Sequence, residues 1–304
     1  MRAYIISRLI QAVVVVIGIS MIAFAITYVL GDPLAVLLPL DAPPETRAIY
    51  RHEMGLDQSL PVQYYHFVTQ VATGHFGYSY LVHEPAYNLI MDRMPATILL
   101  TVSGMVVALI IAVPLGILSA YKKGLWIDSL SSMIAVAGSA LPIYWLGLML
   151  IILFGVRLKW LPPSGYGSWK NLILPAFTLG VFLAPITMRL IRSEMIDVLS
   201  MDYMRVARAK GLVERKVMWR HAMKNVVIPV LSVLGIQFGQ LLGGAVVTET
   251  TFAWPGVATQ AVQAIQNQDR PVVQAAVIIL AVIICLVNLV VDIAVVLIDP
   301  RTRT

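Results

Sequence analysis

The chain has 304 residues, of which 59% are hydrophobic and 12% are charged, and its mean hydropathy is +0.83. A soluble domain carries about a quarter charged residues, so this composition excludes a water-soluble globular protein. The net charge of +6 does not indicate nucleic-acid binding, because the charges lie in short segments between apolar runs, as membrane orientation requires. The single cysteine, Cys285, excludes an internal disulfide.

Six apolar segments approach the length of about 20 residues that a membrane span needs. They are 9–30, 97–120, 127–154, 172–192, 229–250 and 272–298. The first is longer than the apolar core of a cleaved signal peptide, so we expect it to remain as a span. Pro114, Pro142 and Pro185 fall inside three spans. We expect kinks there rather than breaks, because neighbouring helices can satisfy the freed carbonyls.

Lysine and arginine set the orientation, because they are enriched in cytoplasmic loops. Fifteen of the 22 lysine and arginine residues lie in four segments, which are all cytoplasmic if the N-terminus is inside. These segments are 1–8, 121–126, 189–228 and 299–304. The sequence therefore predicts that both termini are cytoplasmic.

Three regions follow from this order. Residues 1–30 are an N-terminal tail and the first span, 31–96 form an outer loop or cap, and 97–304 form a core of five spans. The core includes a long cytoplasmic segment, 193–228. Loops in compact domains typically have about 4–6 residues, so both long connections are expected to carry structure of their own.

The cytoplasmic segment has the periodicity of two short helices. Residues 201–210 predict the first, with Tyr203, Val206, Ala207 and Lys210 on one face. Gly211 suits the left-handed conformation that ends helices. The second helix is predicted over 213–226, and Pro229 marks the return to the membrane. Its predicted apolar side consists of Val213, Val217, Met218, Ala222 and Val226. This elbow is either a solvated basic loop that enforces topology or a surface that docks against another protein.

The sequence of this segment resembles a known motif, the EAA loop of bacterial ABC importer permeases. The resemblance is to the first permease subunit of dipeptide, oligopeptide, glutathione and nickel importers. Arg205-Val206-Ala207 replaces the generic Glu-Ala-Ala, and Pro229 lies farther beyond Gly211 than in the generic motif; both departures are similar to the peptide and nickel subgroup. The matching residues are Asp202, Tyr203, Met204, Arg205, Val206, Ala207, Arg208, Ala209, Lys210 and Gly211, then His221-Ala222 and Asn225-Val226-Val227-Ile228-Pro229.

Shorter matches to that subgroup occur in order along the whole chain. One of them, Gly74-His75-Phe76-Gly77, usually has aspartate where this chain has His75. The others are Gly31-Asp32-Pro33, Gly55-Leu56-Asp57-Gln58 with Gln63-Tyr64, Pro114-Leu115-Gly116, Thr248-Glu249 with Phe252-Ala253-Trp254-Pro255-Gly256, Asn288-Leu289-Val290-Val291-Asp292 and Asp299-Pro300-Arg301.

The resemblance implies an all-α permease of the type I ABC importer class in the bacterial inner membrane. It implies a second homologous permease subunit, two ATP-binding subunits and an external solute-binding protein as partners. The first short helix, including Asp202 and Ala209, would be the coupling helix that docks in a groove on the ATPase. Its face with Tyr203, Val206, Ala207 and Lys210 would point outward into that groove. ATP and Mg would be used by the partners, and this chain would bind no cofactor. The solute stays open among dipeptide, oligopeptide, glutathione, opine, oligosaccharide and nickel.

No catalytic or metal motif stands out. The chain lacks a GxxxxGK[ST] phosphate loop, an HExxH helix and a GxSxG elbow, so we expect a transport subunit and no enzyme. His52, His66, His75 and His83 have spacings that match no metal-ligand pattern such as H-x₃₋₅-H. A secondary transporter or channel is the alternative class, and it would need buried carboxylate or histidine relays near the membrane centre.

Span five carries small and polar residues at membrane depth. Gly235, Gly239 and Gly243 recur every four residues, which allows helix backbones to approach closely. They mark either an internal helix crossing or the contact with the partner permease. Gln237 and Gln240 either line the solute path or form hydrogen bonds between helices.

Charged residues near the inner membrane boundary suggest an ion pair. Asp292 lies near the inner end of span six, and Arg189 and Arg192 lie near the inner end of span four. A structural pair between Asp292 and one of the arginines is the first interpretation, because a charge inside the membrane is costly unless it is paired. A role in gating or proton relay is the second.

Overall fold

The structure is a computed structural model that describes residues 2–29, 34, 38–39 and 41–298. Two matched motifs, Gly31-Asp32-Pro33 and Asp299-Pro300-Arg301, lie outside the described residues. Within these limits the chain is helical, and its β-structure consists of one isolated bridge between Tyr78 and Pro85.

Twelve helices cover most of the described chain. Two of them contain a π-helical segment, Ile151–Arg157 in α6 and Val217–Ala222 in α9. The bounds are α1 (Arg2–Val29), α2 (Pro44–Glu53), α3 (Leu60–Ala72), α4 (Ala86–Tyr121), α5 (Trp126–Ala140), α6 (Ile143–Arg157), α7 (Trp169–Ser200), α8 (Asp202–Ala209), α9 (Glu214–Gly244), α10 (Val246–Thr251), α11 (Val257–Gln266) and α12 (Arg270–Ile298).

Five of these helices are long and apolar enough to cross a membrane: α1, α4, α7, α9 and α12. Helices α5 and α6 make a sixth span if they are counted together, but they are bent by 98°. The expected kink at Pro142 is therefore wrong, and a break is present. Leu141 and Pro142 are both extended, with ψ of 128° and 130°. Leu141 precedes a proline, and a residue in that position disfavours the helical region. Helices α4 and α7 continue through Pro114 and Pro185.

The second predicted loop helix and the fifth predicted span are one continuous helix, α9. Pro229 lies inside it, so the proline does not separate the predicted loop helix from the predicted span. Proline removes one hydrogen bond, which a membrane helix tolerates when neighbours satisfy the freed carbonyl. The long helix α9 ends at Gly244, before the predicted end of the span at residue 250, because the chain turns there into α10.

One compact unit contains residues 98–254 and 287–298. In it α4 and α7 cross very closely at glycines. A Cβ added at Gly180 would lie 2.4 Å from Cγ1 of Val107, and one added at Gly116 would lie 2.8 Å from Cγ2 of Ile191. Contacts under 3.0 Å are essentially never made by real Cβ atoms. Glycine is therefore required for this backbone approach.

The other compact unit contains residues 2–97 and 255–286. Its apolar core is formed by one face each of α4, α11 and α12, and includes Ile90, Met94, Val257, Val272 and Ala276. On α1, the ring of Phe24 contacts the rings of two aromatic residues of α3, with centroid distances of 5.4 and 5.7 Å. The N–H of Val257 donates to Oγ1 of Thr97 at 2.8 Å, which fixes the start of α11.

Candidate coupling site

Helix α8, the predicted coupling helix, ends as the sequence predicts. Gly211 has a φ of +79°. Its N–H donates to the carbonyl of Arg208 at 2.9 Å, and the N–H of Leu212 donates to the carbonyl of Ala207 at 3.4 Å. This pair of bonds is the Schellman ending of a helix. No atom lies within 4 Å of a Cβ placed at Gly211, so the backbone conformation and not crowding favours glycine.

The outward face of α8 differs from the predicted one at one position. Met204 is fully buried and Ala207 is 7% exposed, because both turn toward α7 and the π-helical segment of α9, on which α8 packs. The expectation that Ala207 faces outward is therefore wrong. Tyr203 and Val206 are 42% and 52% exposed. The other outward side chains are charged, except that of Ala209, which is small. They belong to Asp202, Arg205, Arg208, Ala209 and Lys210.

Polar contacts on both sides of Gly211 hold α8 to α9. The amide of Asn225 donates to the hydroxyl of Tyr203 at 2.6 Å, and Nε of Arg208 donates to Oε1 of Glu214 at 2.7 Å. Together with the buried face, these bonds fix the angle of the elbow. Val226 of α9 is fully buried, as predicted for the apolar side of the second helix.

Beside α8, the first turns of α9 form an exposed surface that is both apolar and basic. Val213 is exposed although it was predicted to belong to the apolar side of the second helix, and Trp219 is also exposed. An open groove of about 640 Å³ is lined by these two side chains and by Arg215, Lys216 and Arg220. Trp219 was not singled out from the sequence; an exposed tryptophan among cations is the signal that only the structure supplies. This arrangement suits docking against a protein surface.

An ion pair lies near the inner end of α7, and its carboxylate is Asp128 of α5. Nε and one terminal nitrogen of Arg192 donate to the two oxygens of Asp128 at 2.7 and 2.8 Å. Ser119 donates to the same carboxylate, and the N–H of Gly124 donates to it at 3.0 Å. Four donors therefore meet one buried carboxylate and tie the short 121–126 connection to α7.

The predicted pairing of Arg189 or Arg192 with Asp292 is therefore corrected. Within the described chain, the carboxylate bound by Arg192 is Asp128, while Asp292 has an interaction of its own. The sequence could not separate the two acids, because both lie near an inner helix end and neither has helical spacing to Arg192. Arg189 is exposed on α7.

The small and polar residues of α9 divide into buried and exposed ones. Oγ1 of Thr187 donates to Oε1 of the buried Gln237 at 3.1 Å, which is a hydrogen bond between helices. A Cβ at Gly235 would lie 3.3 Å from Oδ1 of Asn288 on α12, so this glycine lies at an internal crossing. Gln240 and Gly243 are exposed, and Gly239 is half-buried.

Comparison with known proteins gives matches along the whole chain. Residues 112–304 match the "Binding-protein-dependent transport system inner membrane component", and residues 1–101 match the N-terminal part of the membrane component of the same systems. The glutathione transport system permease proteins GsiC of Salmonella typhimurium and Escherichia coli K12 are 38% identical over 304 residues, which is 100% of this chain and 99% of theirs.

A solved structure shows a similar fold. A chain of the MetNI methionine ABC transporter, in an inward-facing conformation, is 15% identical to this chain and has a TM-score of 0.56. The match covers 69% of this chain and 96% of that chain.

Proposed function

The chain belongs to the inner-membrane components of binding-protein-dependent ABC importers, and on that premise we propose that it imports peptide-like solutes by alternating access coupled through α8. Ligand-dependent bias between two packed states is what such a cycle requires. A secondary transporter or channel is not favoured, because the relatives are permease subunits of a transport system. Glutathione is the first solute to test, since the relatives at 38% identity are named for it.

The proposed assembly has a second homologous permease subunit, two ATP-binding subunits and an external solute-binding protein. In it, ATP and Mg are bound by the ATPase subunits and this chain carries no cofactor. The proposed roles of Gln240 and Gly243 are contacts with the partner permease or the solute path, because both are exposed on α9.

The outward face of α8 carries the proposal. Tyr203 and Val206 expose an aromatic and an aliphatic side chain on a helix that is anchored on its opposite face by Met204 and Ala207. A short helix that is held on its buried face and exposes two apolar side chains among charged ones is suited to fill a groove on another protein. Arg205 and Lys210 flank that face and can form ion pairs with acids at the rim of such a groove.

The test is reconstituted transport and ATPase activity of the full complex with two variants. Val206→Trp adds bulk to the outer face without touching the buried one. Gly211→Val forces a β-branched residue into a left-handed conformation, which costs about 1–2 kcal/mol, and so changes the angle of the elbow. Both should assemble, while solute-stimulated ATP hydrolysis and transport are lost together or uncoupled.

The matched control is Lys123→Trp, an equally bulky change in the exposed 121–126 connection. It should pump like the parent protein. If Val206→Trp and Gly211→Val also assemble and pump like the parent, α8 is not the coupling element, and the elbow only sets topology.

A further inference from the structure

The groove at the start of α9 carries positive charge that the described part of the chain does not neutralise. Arg215, Lys216 and Arg220 line it, and all three side chains are exposed. The acid next to them in the sequence, Glu214, accepts a hydrogen bond from Arg208 at 2.7 Å. The ion pairs of the described residues involve none of the three groove cations. The groove therefore suits a ligand with negative charge.

The groove opens sideways from α9. Val217 and Ala222 are fully buried, on the side where the π-helical segment contacts α7 and α8. Trp219 follows Val217 by two residues, which is about half a turn of a helix, and it is 51% exposed. The side chains of a helix project away from its axis. Because α9 is long and apolar enough to cross a membrane, this flank faces what lies beside the helix in the membrane plane.

The position of the groove along α9 matches the headgroup layer. Residues 225–248 carry no charged side chain, and the helical part from Asn225 to Gly244 is about 30 Å long at about 1.5 Å per residue. The hydrocarbon core of a bilayer is also about 30 Å thick, and headgroups add about 5–7 Å on each side. Arg220 and Trp219 lie about 7–9 Å before Asn225 along the axis, so their long side chains can reach lipid phosphates.

Charge complementarity selects the ligand. The C-terminal segment of this chain contains Arg301 and Arg303, and a second copy would bring the same three cations, so both would repel the groove. An anionic phospholipid complements it, because guanidinium groups form strong hydrogen bonds with phosphate and tryptophan is enriched at the membrane interface. Lys224 adds a fourth basic residue on the same stretch, and clusters of this size beside a membrane helix are typical of anionic-lipid binding.

We propose that this groove binds the headgroup of an anionic phospholipid of the inner leaflet. Arg215, Lys216 and Arg220 hold the phosphate, and Trp219 packs against the glycerol and the top of an acyl chain. The volume of about 640 Å³ lies in the range of about 300–1,000 Å³ that is typical of small-ligand sites. The bound lipid fixes the depth of the first turns of α9 in the membrane. This role requires neither a particular solute nor coupling through α8.

The experiment measures quenching of Trp219 fluorescence by brominated lipid. The complex of permease and ATPase subunits is placed in nanodiscs of phosphatidylcholine and phosphatidylglycerol, with one of the two lipids brominated near the top of its acyl chains. The signal of Trp219 is the difference between each protein and its Trp219→Phe form. Brominated phosphatidylglycerol should quench it at a much lower fraction of the bilayer than brominated phosphatidylcholine does.

The variant is Arg215→Gln combined with Arg220→Gln. Its preference for phosphatidylglycerol should fall about fivefold for each cation removed. Arg215→Lys with Arg220→Lys keeps both charges and should keep most of the preference. The matched control is Lys122→Gln with Lys123→Gln, which removes two cations from the 121–126 connection on the same side of the membrane and should behave like the parent protein.

Four outcomes would overturn the proposal. Equal quenching by the two lipids, or an unchanged preference in the glutamine double variant, would show that the groove does not select an anionic lipid. An equal loss in the lysine control would assign the preference to general surface charge. Quenching by neither lipid, together with loss of the ATPase subunits from the glutamine double variant, would assign the groove to protein docking.

Discussion

Replacing Arg192 with glutamine removes the only cation that binds the carboxylate of Asp128 within the described chain. The two side chains differ in burial, with 8% of Asp128 and 30% of Arg192 exposed. Arg192→Gln leaves a buried charge with two remaining donors, Ser119 and Gly124. Breaking a buried pair costs about 3–5 kcal/mol. Because Arg192 is partly solvated, we expect the lower end, about 3 kcal/mol.

The reverse change should cost less. Asp128→Asn leaves the guanidinium of Arg192, which can extend its charged end toward water. We therefore expect a loss of about 1–2 kcal/mol, the cost of weaker hydrogen bonds. The double variant should be more stable than the sum of the single losses predicts, by about 1–2 kcal/mol, because residues in one network couple. Arg189→Gln, an exposed arginine on the same helix, should stay within about 0.5 kcal/mol of the parent protein.

The assay is SDS-induced unfolding of the purified protein in mixed micelles, followed by tryptophan fluorescence. The midpoints and slopes give the free energies of unfolding for the parent, the two single variants, the double variant and the control. Equal losses for the two single variants, or an additive double variant, would contradict the assigned network. A loss in Arg189→Gln as large as in Arg192→Gln would point to general loss of positive charge.

Three further predictions concern separate regions. In a background without the native cysteine, Val82→Cys should react with an impermeant maleimide on cells with a permeabilised outer membrane, and Ser200→Cys should not; the inverse pattern would reverse the topology. Gly180→Ala should lower the free energy of unfolding by about 1–3 kcal/mol through overpacking; an unchanged denaturation midpoint would contradict the close crossing. The hydrogen bond that the protonated ring of His52 donates to Asp57 raises the pKa of His52, and the stabilisation from this bond is lost as pH rises through that pKa. Asp57→Asn should lower this pKa in an NMR titration.

Local features could be predicted because they depend on nearby residues. The end of α8 at Gly211 follows from the left-handed conformation that glycine adopts without strain. Five of the spans predicted from long apolar runs correspond to long helices. The ends of these helices lie within about fifteen residues of the predicted ends. Pro142 and Pro114 show the limit of such reasoning. Both are single prolines in apolar runs, yet Pro142 breaks its helix and Pro114 does not, and the local sequence does not distinguish them.

Features that join distant segments could not be predicted. Asp128 and Arg192 are 64 positions apart, and their pairing depends on how α5 packs on α7. Ala207 lies between residues that face outward, and only the position of α7 and α9 determines that it is buried. In each case the sequence identified the residue type and the tertiary fold chose the partner.

The continuity of α9 has a mechanical consequence. At about 1.5 Å per residue, its 31 residues form a rod about 46 Å long. One end carries the polar contacts to α8, at Glu214 and Asn225, and the other reaches Gly244. In the proposed coupling, a push on α8 would therefore act on α9 as on one continuous lever. This lever would bend at the π-helical segment Val217–Ala222, in its cytoplasmic half, and at Pro229, in its middle.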